Sequence, residues 1–321
     1  MKFKLLLLLA CLLGTTSIFA QSHSTELGIQ TDNDSYLAQG SDRYYTDGIF
    51  IYFRHALKVK AKDSATLANK VLGFEAGQKI FNPQSGYVPG PQYVDRPFAG
   101  YLYIGSTLNF LYKNESNLKF SAQLGVVGPG SGAEETQTWV HKNFGFYTPG
   151  GWQYQIKNDP ELNLSASYNK LLARASWVDV SLTSYASLGN GFSGAGVGPL
   201  VRLGNFNQLF NSISTQSSAT QNNNIKPLHK HELFFYYEPM FNYVAYDATI
   251  QGSLFFNKAN DPTSLQITAN KEPIIFSNQF GLAFTANRFV FDIAAIFHTL
   301  DDKEMVQTHQ WGSVTALYRF K

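Results

Sequence analysis

Beyond about residue 20 the chain has no apolar run of 18 or more residues, the length a membrane-spanning helix requires. It nevertheless alternates apolar and polar side chains over many short segments, and 15% of its residues are aromatic. Two architectures satisfy both facts: a secreted water-soluble β protein, and a barrel that crosses a membrane with strands. In Leu162-Asn163-Leu164-Ser165-Ala166-Ser167-Tyr168-Asn169 apolar and polar residues mostly trade places, as lipid-facing and lumen-facing positions of a barrel strand do. Arg288–Ala294 repeats the pattern less strictly, and Gly48–Phe53 is apolar on both faces, as beside a packed lumen.

The alternation and the turn residues between segments predict strands near Thr25–Asn33, Thr46–Val59, Lys70–Phe81, Phe98–Lys113, Leu118–Val127 and Glu161–Arg174. They continue at Trp177–Leu188, Phe192–Leu203, His231–Tyr246, Pro273–Ala286, Arg288–Thr299 and Thr308–Phe320. Asp247–Asn257 would make an odd count, which a single-chain bacterial barrel avoids, so it is assigned to a loop. The expected fold is therefore all-β: a twelve-stranded antiparallel transmembrane barrel occupying 21–321, with one short helix in an extracellular loop. Connections after even-numbered strands are mostly short, and those after odd-numbered strands are longer, as for periplasmic turns and extracellular loops. The exception is 204–230, long on the periplasmic side and rich in Asn, Ser and Gln, which reads as a poorly ordered segment.

Residues 1–20 read as a secretory signal: Lys2 and Lys4 precede the apolar stretch Leu5–Leu13, and Ala20 is the expected last residue before cleavage. Cys11, the only cysteine, lies inside it, so neither a disulfide nor a thiolate metal site is expected in the remainder. Without Lys2 and Lys4 the 25 Lys+Arg fall to 23, equal to the 23 Asp+Glu, so no global charge favours nucleic acid.

Polar residues gather at one end of the expected barrel. Asn33-Asp34 closes the first strand and Thr46 opens the second, so a hairpin brings carboxylate, amide and hydroxyl oxygens together, a donor set suited to a hard cation such as calcium. An Asx-rich turn that satisfies its own backbone explains the same residues. Asp95-Arg96 follows the third strand, and Ser131–Phe144, read as a helix, follows the fifth. All three clusters follow odd-numbered strands and so share a rim. On the helix, Ser131 is a possible N-cap with Glu134 three residues on, and Gly145 a stop. Glu134, Gln137 and His141 fall on one face, which leaves Glu134 between a capping and a site role and His141 between a general base and a packing histidine. Arg43, Arg96, Lys142 and Lys157 place positive charge near the rim, as a phosphorylated lipid head group or plain solvation would want. The glycines from Gly189 to Gly198 are not a phosphate loop, and there is no serine-hydrolase elbow or zinc-protease helix.

Taken in order, TDNDSY, DRYYTDG, DRPFAGY, GVVGPGSGAEETQTWVH and PGGWQYQIKNDP resemble the lipid A 3′-O-deacylases of Gram-negative outer membranes, over roughly residues 26–165 and more loosely to the C-terminus. The resemblance implies a monomeric twelve-stranded barrel in the bacterial outer membrane whose partner is lipopolysaccharide. It implies calcium-dependent removal of the 3′-acyloxyacyl chain of lipid A, with a histidine base and a cation-stabilised oxyanion. By position His141 matches the base and Asp34 the residue that places the metal; Asn33, Thr46 and Gln137 match the other catalytic-site residues. The chain departs from the pattern twice. Phe146 or Tyr147 stands where a carboxylate is expected, and Gln84–Gln92 lacks the expected lysine. Glu134, Glu135, Arg43 and Arg96 are the remaining candidates for substrate contacts. A phospholipid esterase and a non-catalytic pore or adhesin are the alternatives.

Overall fold

The computed structural model describes residues 23–38, 40, 42–222, 226–255 and 261–320. The signal segment 1–20 lies outside the described residues. Twelve strands form one closed barrel: β1 (Thr25–Asn33), β2 (Tyr45–Ala56), β3 (Leu67–Phe81), β4 (Ala99–Tyr112), β5 (Ser116–Val127), β6 (Asp159–Arg174), β7 (Val178–Gly189), β8 (Phe192–Asn205), β9 (Leu233–Asp247), β10 (Ile274–Ala286), β11 (Phe289–His298) and β12 (His309–Phe320). Each strand pairs antiparallel with its sequence neighbours, and β1 closes the ring on β12 from Thr25↔Phe320 to Asn33↔Gly312. The described part of Asp247–Asn257, residues 247–255, holds no thirteenth strand: Ala248–Gln251 forms one helical turn capped by Asp247. Tight turns on the even side use local polar chemistry. Asn114 accepts from the Ser116 N–H between β4 and β5, and Asn287 takes a left-handed φ of 51° between β10 and β11.

Period-two alternation sorts the side chains. Leu27, Ile29, Ile51, Phe74, Ile104 and Leu162 stand exposed on the outer face, a belt that a water-soluble surface would not carry but hydrocarbon covers. Their neighbours point inward: Tyr52 donates to Gln30, Gln123 to Glu75, and Arg54 pairs with Glu26 at 3.4 Å. No helix among the described residues is long and apolar enough to cross a membrane.

Residues 206–222 of the β8–β9 connection do not form the poorly ordered segment that their composition suggested. They fold back into the barrel and close its periplasmic end. Phe206, Leu209 and Ala219 are fully buried or nearly so, and Ile213 joins the lumenal cluster of Leu200, Phe234 and Val290. The segment's backbone and serine side chains bond to the barrel wall. Asn69 donates to the Ala219 carbonyl (2.8 Å) and Asn109 to the Thr215 carbonyl (2.8 Å); Arg202 donates to Ser212 and Ser214 (2.9 and 3.0 Å). Glu232 accepts from the Ser212 hydroxyl at 2.6 Å and the Ile213 N–H at 3.1 Å. Short polar side chains that solvate a free loop serve equally well to satisfy a lumen. Above this plug remains a cavity of about 330 Å³ bordered by Gln30, Asp32, Arg54 and Asp292. Replacing 207–221 with a short Gly/Ser turn should therefore turn a non-conducting barrel into one that passes ions in planar bilayers. Equal silence from both proteins would show that the wall side chains close the lumen without the plug.

Candidate active site

The site is built where β1, β2, β3 and the loop after β5 meet at the extracellular rim. β1 ends on Asn33, whose side-chain oxygen caps a short 3₁₀ turn, Asp34–Leu37, by accepting from the Ser35 N–H. The chain reverses through left-handed Ala38, Asp42 (φ 47°) and Tyr44 (φ 59°). Tyr45 then pairs with Phe81 and Asp47 with Ile80, so Thr46 has no cross-strand partner. This bulge re-aims Thr46, and its hydroxyl donates to Asp34 Oδ1 at 3.3 Å. Asp34 Oδ2 accepts from the Arg43 N–H at 2.8 Å, and Asn33 donates to Asp47. Burial pushes the Asp34 carboxyl up to about 7, and the charges of Asp42 and Asp47 push the same way against the Arg43 hydrogen bond.

The second half comes from helix α1 (Ala133–Phe144). A 3₁₀ turn, Pro129–Ser131, leads into it, and Gly132 caps it without a side-chain bond. The expected capping box is absent: Ser131 donates to the Gly128 carbonyl (2.6 Å), and Glu134 accepts from Gln155 (3.3 Å). Gly145 ends the helix in the left-handed region, as its position suggested. The helix packs on the outside of the wall. Gly100 of β4 touches Ser131 and Ala133 where any Cβ would collide, and Gln78 of β3 donates to the Ser131 carbonyl at 2.7 Å.

Gln137 and His141, one turn apart, point inward and are buried, while Glu134 and Glu135 stay exposed. Trp152 Nε1 donates to Gln137 Oε1 (2.9 Å), which turns the amide nitrogen toward Asp42 Oδ2 at 3.1 Å. The same oxygen lies 2.7 Å from His141 Nε2 and accepts from the Tyr147 hydroxyl at 2.7 Å. His141 Nδ1 lies 2.6 Å from the Tyr147 carbonyl, and the Tyr147 ring stands edge-on to the imidazole at 4.7 Å. A carbonyl only accepts, so Nδ1 carries hydrogen, and Nε2 is the nitrogen that faces the Asp42 carboxylate. Desolvation and Asp42 push the Tyr147 hydroxyl up, keeping it a donor.

The structure thus brings Asn33, Asp34, Thr46, Gln137 and His141 together, with Arg43 contributing its backbone N–H. It does not bring Arg96, which is buried in the barrel mouth over Phe81 and bonded to Thr249. Sequence reasoning left Asp42, Asp47 and Trp152 out of the site. Asp42 begins the DRYYTDG motif, but nothing local marks a loop residue as the partner of a helix 95 positions on. The donor set suits a hard cation such as calcium: the charges of Asp42 and Asp47 act on the buried Asp34 carboxyl, and no Lys or Arg side chain among the described residues neutralises Asp34 or Asp47. No three His, Asp or Glu side chains among the described residues form a ready cage, so amide, backbone and water oxygens would complete the shell.

Strand parity decides which way the site faces. Asn33 lies on the β1 face that carries Leu27 and Ile29, and Asp47 on the β2 face that carries Ile49 and Ile51, all exposed on the outer wall. Asp32 and Tyr45, bonded to each other at 2.7 Å, face the lumen instead. The site lies between the outer wall and α1, beside the outer leaflet.

The family described as "Outer membrane protein LpxR" matches residues 6–320. Among solved structures, LpxR from Salmonella typhimurium superposes with a TM-score of 0.72 at 20% identity, covering 92% of this chain and 100% of that one. The β domain of the Bordetella autotransporter BrkA gives a TM-score of 0.49 at 10% identity, over 94% of this chain and 99% of that one. A comparison with characterised proteins returns no significant match.

Proposed function

The chain belongs to the LpxR family of outer membrane proteins, and from that membership we propose that it is a calcium-dependent lipid A 3′-O-deacylase. The observation that carries the reading is a histidine held between the Tyr147 carbonyl and the Asp42 carboxylate at the outer wall, where a lipid of the outer leaflet would reach it sideways. His141 Nε2 takes the proton from a water attacking the ester carbonyl, and the proton passes to the leaving alcohol oxygen as the C–O bond breaks. For this Nε2 exchanges its Asp42 contact for the attacking water; Asp42 beside the ring offsets the charge of the imidazolium, while the Tyr147 carbonyl holds the ring in plane. Asp34, with Asn33, Asp47 and Thr46 around it, would hold the calcium. The chemistry a bound calcium supplies is positive charge near the ester oxygen as it becomes negative.

A diacyl phospholipid is the second reading. It is favoured by the uncharged segment Gln84–Gln92, which lacks the lysine that would meet a sugar phosphate. Offering lipid A and phosphatidylethanolamine together in one micelle separates the two. Loss of the acyloxyacyl unit with the phospholipid intact is expected; release of phospholipid fatty acid with lipid A untouched would transfer the reaction to the other substrate.

A further inference from the structure

Below the site the outer wall is not evenly packed. A groove of about 530 Å³ runs across β2 to β5 on the lipid-facing side. Strand register shows how it arises. In one row Ile51, Ala76, Ile104 and Leu124 stand side by side, so Ala76 leaves a gap between two isoleucines. In the next row Phe53, Phe74, Ser106 and Ala122 follow, so the gap shifts to Ser106 and Ala122 and is walled by Phe74. Ile51, Phe74, Ile104 and Leu124 are each at least half exposed, so the walls stand clear of the sheet.

Small residues alone would make only a dent. Position ties this one to a ligand. Asp47 pairs with Ile80, and Ala76 lies four residues further along the same face of β3, on the order of 13 Å down the wall. Gln78, between them, anchors the Ser131 carbonyl at the base of α1. The groove begins under the site and lies within the roughly 15 Å of hydrocarbon that one leaflet provides. The outer face of β2 runs from Asp47 through Ile49 to Ile51, which lines the groove, so one face of the wall joins site and groove.

Resting on the outer-wall esterase reading, we propose that this groove is the acyl-chain subsite, which seats a fatty chain of the lipid whose ester enters the site and so sets chain-length preference. The test fills it. In Ala76→Phe and Ala122→Phe the loss in kcat/KM should grow with acyl length, reaching roughly 10-fold or more for the longest chains, since each misplaced methylene in an apolar pocket matters. Ala186→Phe, on the outer face of β7 away from the groove, is the control and should match wild type at every length. A loss independent of length, or none, overturns the proposal.

A second readout needs no turnover, so failure of the esterase reading does not mask the answer. Residues 12–321 contain no cysteine, so Ala76→Cys and Ala186→Cys can each carry one fluorophore. Lipid A with brominated acyl chains, sparse in phospholipid, should quench the label at 76 well beyond that at 186. Equal quenching at both marks the groove as holding ordinary surrounding lipid and overturns the subsite.

Discussion

His141→Ala should lower lipid A deacylation by roughly 10²- to 10⁴-fold, the range a positioned general base contributes, while the barrel keeps its heat-modifiable mobility on gels. The effect should appear in kcat more than in KM. Nε2 acts on the attacking water, and lipid binding depends on the wall and the loops. The fold should survive because His141 sits on a loop helix and takes no part in any strand pairing. The helix itself is held by Gly100, Gln78 and Trp152, none of which depends on the imidazole. Loss of a few-fold only would mean that another group, with Asp42 the nearest, takes the proton. A variant that fails to fold would be answered by His141→Gln, which keeps a donor for Asp42 and no base.

Asp34→Asn should remove the response to calcium. The amide keeps an oxygen for the Arg43 N–H, so the turn that builds the site stays satisfied, but the buried negative charge is gone. Loss of oxyanion stabilisation of this kind costs about 10²- to 10³-fold, so activity should fall to the level of chelated wild type. Calcium should also raise the thermal midpoint of the wild type and not that of the variant, because an ion that binds only the folded state stabilises it by mass action. That second readout is independent of turnover. A variant with full activity and an unchanged calcium shift would place the ion elsewhere.

The strands were legible because a barrel imposes a physical rule on every residue: one face meets lipid and the other meets the lumen. β1 begins and ends where alternation placed it, and β6 and β9 differ by two residues or fewer at each end. Loop parity also placed the three polar clusters on one rim. It could not say whether they faced the lumen or the lipid, because that depends on the bulge at Thr46 and the packing of Ser131 on Gly100. The plug was misread for a different reason. Its backbone carbonyls accept from Asn69 and Asn109, 150 and 106 positions away, and its Ser212 side chain bonds to Arg202 and Glu232 on the flanking chain; composition alone does not separate a solvated loop from one solvated by protein. Ser131 was expected to cap the helix, but the preceding 3₁₀ turn claims its hydroxyl. Arg96 has the sequence context of a rim charge, yet cation–π packing on Phe81 and its bond to Thr249 draw it into the barrel mouth. Asp42 became visible only when the helix and the loop were seen together.

The most direct measurement is mass spectrometry of lipid A after incubation with the refolded barrel, once with calcium and once with chelator. Loss of one 3′-acyloxyacyl unit with calcium, and an unchanged mass spectrum with chelator, is the predicted result. An unchanged spectrum under both conditions from a folded barrel would contradict the deacylase reading, and an equal loss under both would contradict the role given to calcium at Asp34.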